Sequence, residues 1–147
     1  CTCTPTQVNR YRSRISGPLL DRIDIQVEVS NVDYEDLSST ENSETSAEIK
    51  KRVNKTRKLQ LERYKDYNIY SNSQLDAGML KKFCPLGEEE NAILRAAFDN
   101  LGLSARAHSR ILKVARTIAD LEGSENIKSE HIAEAIQYRS LDRKYFE

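Results

Sequence analysis

The segment Ser104–Glu122 constrains the fold of this chain most, because it has the pattern of one long amphipathic helix. Ser104 is a residue type that caps helices, and Gly123 is the type that ends them. Apolar residues recur between these ends at helical spacing and form one stripe: Ala107, Ile111, Leu112, Ala115, Ile118 and Ala119. A stripe of this width has to be covered, so the segment predicts the central helix of a helical domain.

Four other segments after residue 45 also show helical periodicity, and the connections between them are short. We expect Ser129 to cap the last of these helices. The predicted segments are Ser46–Asp66, Ser73–Phe83, Glu88–Asn100 and Ser129–Tyr138. Five helices with short connections predict a small bundle.

A shorter pattern of a different kind precedes the bundle. Thr4, Pro5 and Gln7 predict a capped helix start, and this helix should run to about Ser13. Asp24–Val29 alternates polar and apolar side chains, which predicts a half-buried strand.

Residues 31–45 are rich in Ser, Asn, Asp and Glu and have no helical or strand period. We interpret them as a linker. The sequence therefore predicts a mainly α chain in three regions. A short α/β remnant of a larger core occupies residues 1–30, and the helical domain occupies residues 46–147.

The charges of the chain balance, with 23 Lys+Arg and 23 Asp+Glu, so no overall field favours nucleic acid. A local basic run lies at Lys50–Lys58. Its cations spread around a helix and no aromatic side chain interleaves with them, so we interpret the run as a solvated face. Contact with phosphates is the alternative. No apolar run approaches the roughly 20 residues of a membrane span.

Catalytic and metal motifs are scarce. No G-x-x-x-x-G-K-[ST] loop occurs in the 147 residues, so this chain is not itself a complete P-loop ATPase. Cys1 and Cys3 supply half of a four-ligand zinc site, and we expect no metal site within this chain. His108 and His131 pair with no nucleophile and are expected to be structural. The acids near the end of the central helix, Asp120 and Glu122, are expected to be solvated.

Two arginines have unusual positions. Arg22 lies between Asp21 and Asp24, where an apolar turn enters the predicted strand. Arg106 lies in the first turn of the central helix, where the positive end of the macrodipole disfavours a cation. An anion at that helix end would meet both the backbone amides and the guanidinium. The structural alternatives are ion pairs of Arg22 with a nearby acid, and exposure of Arg106 to solvent or its pairing with Asp99.

Four strings of the sequence together resemble one family. They are RYRSRISGPLLDRIDIQVEV at residues 10–29, NSQL at 72–75, GLSARAHSRILKVARTIADLEGSENI at 102–127 and EAIQYRSLDR at 134–143. These strings are similar to the C-terminal part of the ComM/YifB-type magnesium-chelatase-like AAA+ ATPases. The resemblance implies that the helical domain is an AAA+ lid and that the chain is the C-terminal piece of a larger ATPase.

The same resemblance implies roles for the two arginines. Arg22 matches the arginine finger, which reaches the ATP of a neighbouring subunit, and Arg106 matches the sensor-2 arginine, which contacts an ATP phosphate. The parent protein would be a cytoplasmic homo-hexamer that uses ATP and Mg²⁺, with neither bound tightly by this chain. It would act in DNA processing during natural transformation, with branch migration as the proposed activity.

The family's phosphate loop and magnesium ligands would lie upstream, as would a Cys-rich stretch, so whether Cys1 and Cys3 join a zinc site stays open. We expect this chain alone to be no enzyme and to contact no membrane, whereas DNA is a candidate partner of the full-length protein. The alternative function is a helical interaction module that binds DNA or a protein partner independently of nucleotide.

Overall fold

The computed structural model describes residues 2–20, 22–31 and 44–139. The described residues form α-helices joined by turns and loops, which confirms the mainly α fold. The elements are α1 (Pro5–Arg12), α2 (Gly17–Leu20), α3 (Ser46–Arg63), a 3₁₀ turn (Asn72–Gln74), α4 (Ala77–Phe83), α5 (Glu88–Leu101), α6 (Ala105–Glu122) and α7 (Ser129–Gln137). None of the described helices is long and apolar enough to cross a membrane.

Helix α6 is the centre of the bundle, and α3, α4, α7 and the 3₁₀ turn all pack against it. Its predicted stripe is confirmed, since Ala107, Ile111, Ala115 and Ala119 are fully buried. Helix α7 also packs against α5. The other elements contribute further buried core residues: Tyr64, Leu75, Leu80, Cys84, Leu94, Ile127, Ile132 and Ala135.

The helix ends follow the cap residues of the sequence. Thr4 and Gln7 form the predicted capping box of α1. Ser104 accepts a hydrogen bond from the Ala107 amide at 3.2 Å and so caps α6. Gly102 ends α5 with φ 59°, and Gly123 ends α6 with φ 84°, a left-handed conformation that glycine adopts without strain.

The predicted strand Asp24–Val29 is not formed, and no strand occurs among the residues that the structure describes. A strand requires a neighbour along its edge, and no described segment provides one. Residues 25–31 have no regular structure; the Gln26 amide donates to the Tyr138 carbonyl at 2.9 Å, beyond the end of α7. Gly17 begins the single turn α2.

Helix α3 differs from its predicted pattern. It ends at Arg63 rather than Asp66, and most of its apolar side chains are exposed; Ile49 and Leu61, for example, are 42% and 48% exposed. The buried positions are instead polar, Thr56 and Gln60. Several predicted features lie outside the described residues. These are most of the predicted linker, and the whole of Cys1, Asp21 and the chain beyond residue 139.

Two other boundaries were predicted wrongly. The segment expected as one helix from Ser73 divides into the 3₁₀ turn and α4, which Asp76 caps through the Met79 amide at 2.8 Å. Ser129 does not cap α7 but is its first residue, and its hydroxyl donates to Glu90 at 3.0 Å. The cap position belongs to Lys128.

Candidate functional site

Arg22 lies in the turn directly after α2, and its side chain is exposed. Its Nη1 atom donates to the Pro18 carbonyl at 3.0 Å, which folds the side chain back over its own turn. The expected alternative partner Asp24 is not used by Arg22, and Asp21 lies outside the described residues. Within residues 2–20, 22–31 and 44–139, the Pro18 carbonyl is the one hydrogen-bond partner of this guanidinium, which has five N–H donors.

Arg106 is the second residue of α6 and is exposed. Among the described residues it has no hydrogen-bond or ion-pair partner, so of the two structural alternatives the pairing with Asp99 is not formed and the exposure to solvent is observed. The first N–H groups of a helix have no acceptor within the helix, and in α6 the Ser104 hydroxyl accepts only from that of Ala107. A cation and unpaired amide donors therefore share one helix terminus, which is the chemistry of an anion site.

An ion pair between neighbours of Arg22 and Arg106 links the two parts of the chain that carry these arginines. Arg110, one helical turn after Arg106, pairs with Asp24, two residues after Arg22. No hydrogen bond or ion pair in the described part of the chain joins Arg22 to Arg106 directly. The structure thus attaches the segment that carries Arg22 to the helix that carries Arg106, without bringing the guanidinium groups into contact.

Arg139 provides a second attachment of the same segment, and sequence reasoning assigned it no role. The residue is 1% exposed, and its Nη1 atom donates to the Ile23 carbonyl at 2.9 Å. Beside it the Tyr138 carbonyl accepts from Gln26. The end of α7 and the first half of α6 therefore both hold residues 23–26. The only sequence signal for Arg139 was its presence in the string EAIQYR.

A buried group of polar side chains lies around Asp120, and we call it the Asp120 cluster: Gln60, Arg63, Asn72, Arg116 and Asp120. The Arg63 guanidinium donates to both carboxylate oxygens of Asp120, at 2.6 and 2.8 Å. Asn72 and Gln60 donate to it at 2.9 and 3.2 Å, and Arg116 donates through Nε at 3.0 Å. The expectation that Asp120 is a solvated acid was wrong, since it is 3% exposed.

The electrostatics of the Asp120 cluster are those of a satisfied internal ion network. Burial acts to raise the pKa of Asp120, but hydrogen bonds from Arg63 and Asn72 and the charge of Arg116 outweigh it, so this pKa lies below its ordinary value. Arg116 also donates to the carbonyls of Ser124 and Glu125, at 2.7 and 2.8 Å. Each donor side chain of the cluster bonds to at least one protein acceptor, so the cluster serves the fold rather than a ligand.

A second polar group joins the end of α6 to the start of α7. His131 is 3% exposed, and its Nδ1 atom accepts from the Lys128 amide at 2.9 Å. The ring proton therefore lies on Nε2 and is donated to Glu122 at 2.5 Å. This hydrogen bond is the main reason that the pKa of Glu122 lies below its ordinary value.

The ligand atoms of Glu122, Glu130 and His131 lie within 4.8 Å of one another, the closest approach to metal-ligand spacing in the described residues. The Lys128 ammonium contacts both carboxylates, at 3.1 Å from Glu130 and 3.4 Å from Glu122. The positive charge between these acids is thus supplied by the chain itself. His131 has the structural role that the sequence suggested.

Comparison with known proteins adds independent evidence. The family model described as magnesium chelatase, subunit ChlI C-terminal, matches residues 43–139, and the model described as magnesium chelatase, subunit ChlI, matches residues 1–37. Competence protein ComM of Haemophilus influenzae is 43% identical over 141 residues. The uncharacterized protein YifB of Escherichia coli is 42% identical over 142 residues.

These matches cover 95% and 96% of this chain but only 27% of each relative. An uncharacterized protein of Mycobacterium tuberculosis is 29% identical over 139 residues, again with 27% of the relative covered. The chain therefore spans about a quarter of the length of the curated relatives that it matches.

Proposed function

Because this chain belongs to the magnesium-chelatase ChlI family, in its ComM/YifB-like group, we propose that it is the C-terminal lid part of a hexameric AAA+ ATPase. In this proposal Arg106 and Arg22 contact the phosphates of ATP. The observation that carries it is the position of Arg106: an exposed arginine without a described partner in the first turn of the central helix.

The location of Arg106 has a physical cost without an anion. The partial positive charge of a helix N-terminus destabilises a nearby cation, by roughly 0.3–1 kcal/mol at an exposed site. No described acid compensates that cost. A phosphate would reverse the sign of the interaction, because it attracts both the guanidinium and the free amides.

Arg22 fits the role of a group that acts on a neighbouring subunit. Its side chain is exposed, and its backbone segment is fixed at Ile23 by Arg139 and at Asp24 by Arg110. A guanidinium on a fixed segment can stabilise the charge that develops on a transferring phosphoryl group. Since no contact joins it to Arg106, the two arginines need not serve the same nucleotide.

ATP and Mg²⁺ would supply the phosphoryl group and its neutralising cation. The described residues include groups that could bind the phosphates of ATP: the guanidinium groups of Arg22 and Arg106 and the first amides of α6. The phosphate loop and magnesium ligands are not encoded in these 147 residues and would have to come from elsewhere in the complete protein.

We also propose that the complete protein acts in DNA processing. The support is the name of the Haemophilus influenzae relative, a competence protein, together with the resemblance of the sequence strings. Stimulation of ATP hydrolysis by branched DNA would test this part separately from the arginine assignments.

The test of the arginine assignments is steady-state ATP hydrolysis by the complete protein. Arg22→Ala and Arg106→Ala should each lower turnover strongly, and loss of an arginine finger costs about 10³-fold or more. Arg95→Ala is the matched control, because Arg95 is an exposed arginine on α5 with no described ion pair. Parental turnover in Arg22→Ala or Arg106→Ala would refute the corresponding assignment.

A further inference from the structure

We propose that one face of α3 binds the phosphate backbone of nucleic acid. This α3 cationic face consists of five exposed side chains: Lys50, Lys51, Lys55, Arg57 and Lys58. The inference does not depend on the roles of Arg22 and Arg106, and its test has a different readout from ATP hydrolysis.

The structure changes the interpretation of this basic run. From the sequence alone, its cations spread around a helix and the run was interpreted as a solvated face. Arg52 lies near the packed side of α3 and forms a bidentate ion pair with Glu44. The five remaining cations occupy a sector of about 160° at 100° per residue. Within it Lys51, Lys55 and Lys58 form one line at i, i+4 and i+7.

The bundle fixes this face toward solvent. Thr56 and Gln60 are buried on the opposite side of α3, and Gln60 donates to Asp120 at 3.2 Å. The line from Lys51 to Lys58 lies on the exposed side of α3, where it borders an open groove that Leu121 of α6 also lines. Its length is about 10 Å at 1.5 Å per residue, which is enough to contact more than one phosphate of a strand.

The two acids of α3, and the described acid just before it, are already paired with other groups. Glu44 pairs with Arg52. Glu48 accepts from the Thr45 amide and hydroxyl, at 2.8 and 2.7 Å, as the cap of the helix. Glu62 pairs with Lys65.

As a result, none of the five cations forms an ion pair or hydrogen bond with a described residue. Like charges at i, i+3 and i, i+4 repel one another, as in Lys51–Lys55 and Lys55–Lys58. A polyanion would relieve this repulsion and release its own counterions, which is the main source of affinity for nucleic-acid backbones.

The chemistry of the face favours phosphates over bases and over a membrane. It contains no aromatic side chain on which a base could stack, so binding should depend little on sequence. A membrane-surface helix must insert its apolar side. Ile49 and Val53, on the other side of α3, are 42% and 40% exposed, but the same side carries Gln60 and Arg63. Both of these are bonded to Asp120 of α6, so this side of the helix is not free to insert along its length.

The experiment measures fluorescence anisotropy of labelled oligo(dT) and of a labelled duplex, each titrated with the 147-residue chain at several salt concentrations. The test variant is Lys51→Gln/Lys55→Gln/Lys58→Gln. The control variant is Arg10→Gln/Lys81→Gln/Arg95→Gln, which removes three exposed cations elsewhere and gives the same net charge. Circular dichroism verifies that both variants keep the helical fold.

We expect the test variant to lose about tenfold or more in affinity at low salt, while the control keeps most of it. The slope of log K against log salt should fall by about 0.7 per removed cation for oligo(dT) and 0.9 for the duplex. Absence of binding by the parental chain at low salt would overturn the proposal, as would equal losses in both variants. Tighter binding to phosphatidylserine vesicles or polyglutamate than to either nucleic acid would also overturn it.

Discussion

Arg63 and Asp120 form a bidentate pair in which both carboxylate oxygens accept from one guanidinium, at 2.6 and 2.8 Å. Arg63 is the last residue of α3, and Asp120 lies in the last turn of α6. The pair therefore fixes the end of one helix against the end of another. Asn72 links the same carboxylate to the connection after α3, because it also accepts from the Tyr64 hydroxyl at 2.6 Å.

Asp120→Asn should destabilise the fold strongly. The substitution removes the negative charge but leaves Arg116, which is 2% exposed, and most of Arg63 without a counter-charge. Breaking a buried ion pair on one side costs about 3–5 kcal/mol. Urea unfolding would measure the loss, with Glu62→Gln as a control that removes an exposed ion pair at a cost of about 0–1 kcal/mol. A loss below about 1 kcal/mol would contradict the assigned role of Asp120.

The Asp120 cluster should also make stability depend on pH in acid. Burial raises the pKa of Asp120. The hydrogen bonds of Arg63 and Asn72 and the charge of Arg116 lower it by more, so the pKa lies below its ordinary value of 3.8. The unfolded chain then binds a proton at a higher pH than the folded chain does. The stabilisation is complete well above pH 3.8 and decreases as the pH falls through the folded-state pKa.

The measurement is the free energy of unfolding of the parental chain and of Asp120→Asn across this acid range. Their difference isolates Asp120 from other carboxyls with lowered pKa values, such as Glu122. We expect the difference to decrease as the pH falls below about 3.8. A difference that stays constant or grows toward lower pH would show that the Asp120 carboxylate is not the stabilising form.

Helix α6 shows what the sequence could predict. Its stripe of apolar residues has one period, and its two caps, Ser104 and Gly123, are local signals that act within a few residues. The buried role of Asp120 had no such signal. Its partners Arg63 and Asn72 lie 57 and 48 residues away along the chain, so only the packing of α3 against α6 brings them together.

The predicted strand shows a different limit. The alternation of polar and apolar side chains in Asp24–Val29 indicates which face of an extended segment would be apolar. A strand forms only where a neighbouring segment pairs with its backbone hydrogen-bonding groups. In the described residues, the Gln26 amide donates to the Tyr138 carbonyl just beyond the end of α7 instead. The roles of Arg22 and Arg106 rest on the family resemblance, and for Arg106 also on its place in the first turn of a helix, and they stay predictions. Arg139 depends on a contact with Ile23 that no local pattern encodes.

Cys84 should be unreactive in the folded chain. The side chain is 4% exposed, and burial raises the pKa of its thiol to about 11. Because the thiolate is the reactive form, only about one thousandth of this thiol would be reactive near pH 8, even if reagent could reach it. Iodoacetamide should therefore alkylate the exposed Cys3 much faster than Cys84.

Peptide mass mapping of samples quenched over time would give the two rates, and unfolding in urea should make them similar. Equal rates without urea would show that the bundle around Cys84 opens readily.

The last prediction concerns the direction in which Arg22 acts, and it rests on the proposed hexamer. If Arg22 serves the nucleotide of a neighbouring subunit, a subunit with Arg22→Ala still has an intact phosphate site of its own. A subunit that lacks its phosphate-loop lysine still offers an intact Arg22. Hexamers of either variant alone should be inactive, but mixed hexamers should regain hydrolysis wherever the two kinds of subunit meet in the productive order. As a separate check, Arg22→Lys should restore little of the ATP turnover lost in Arg22→Ala, because an ammonium cannot reproduce the planar fork of the guanidinium. ATP turnover measured across mixing ratios should pass through a maximum. Activity that stays at zero at every ratio, with native mass spectrometry confirming mixed hexamers, would show that Arg22 does not act in trans.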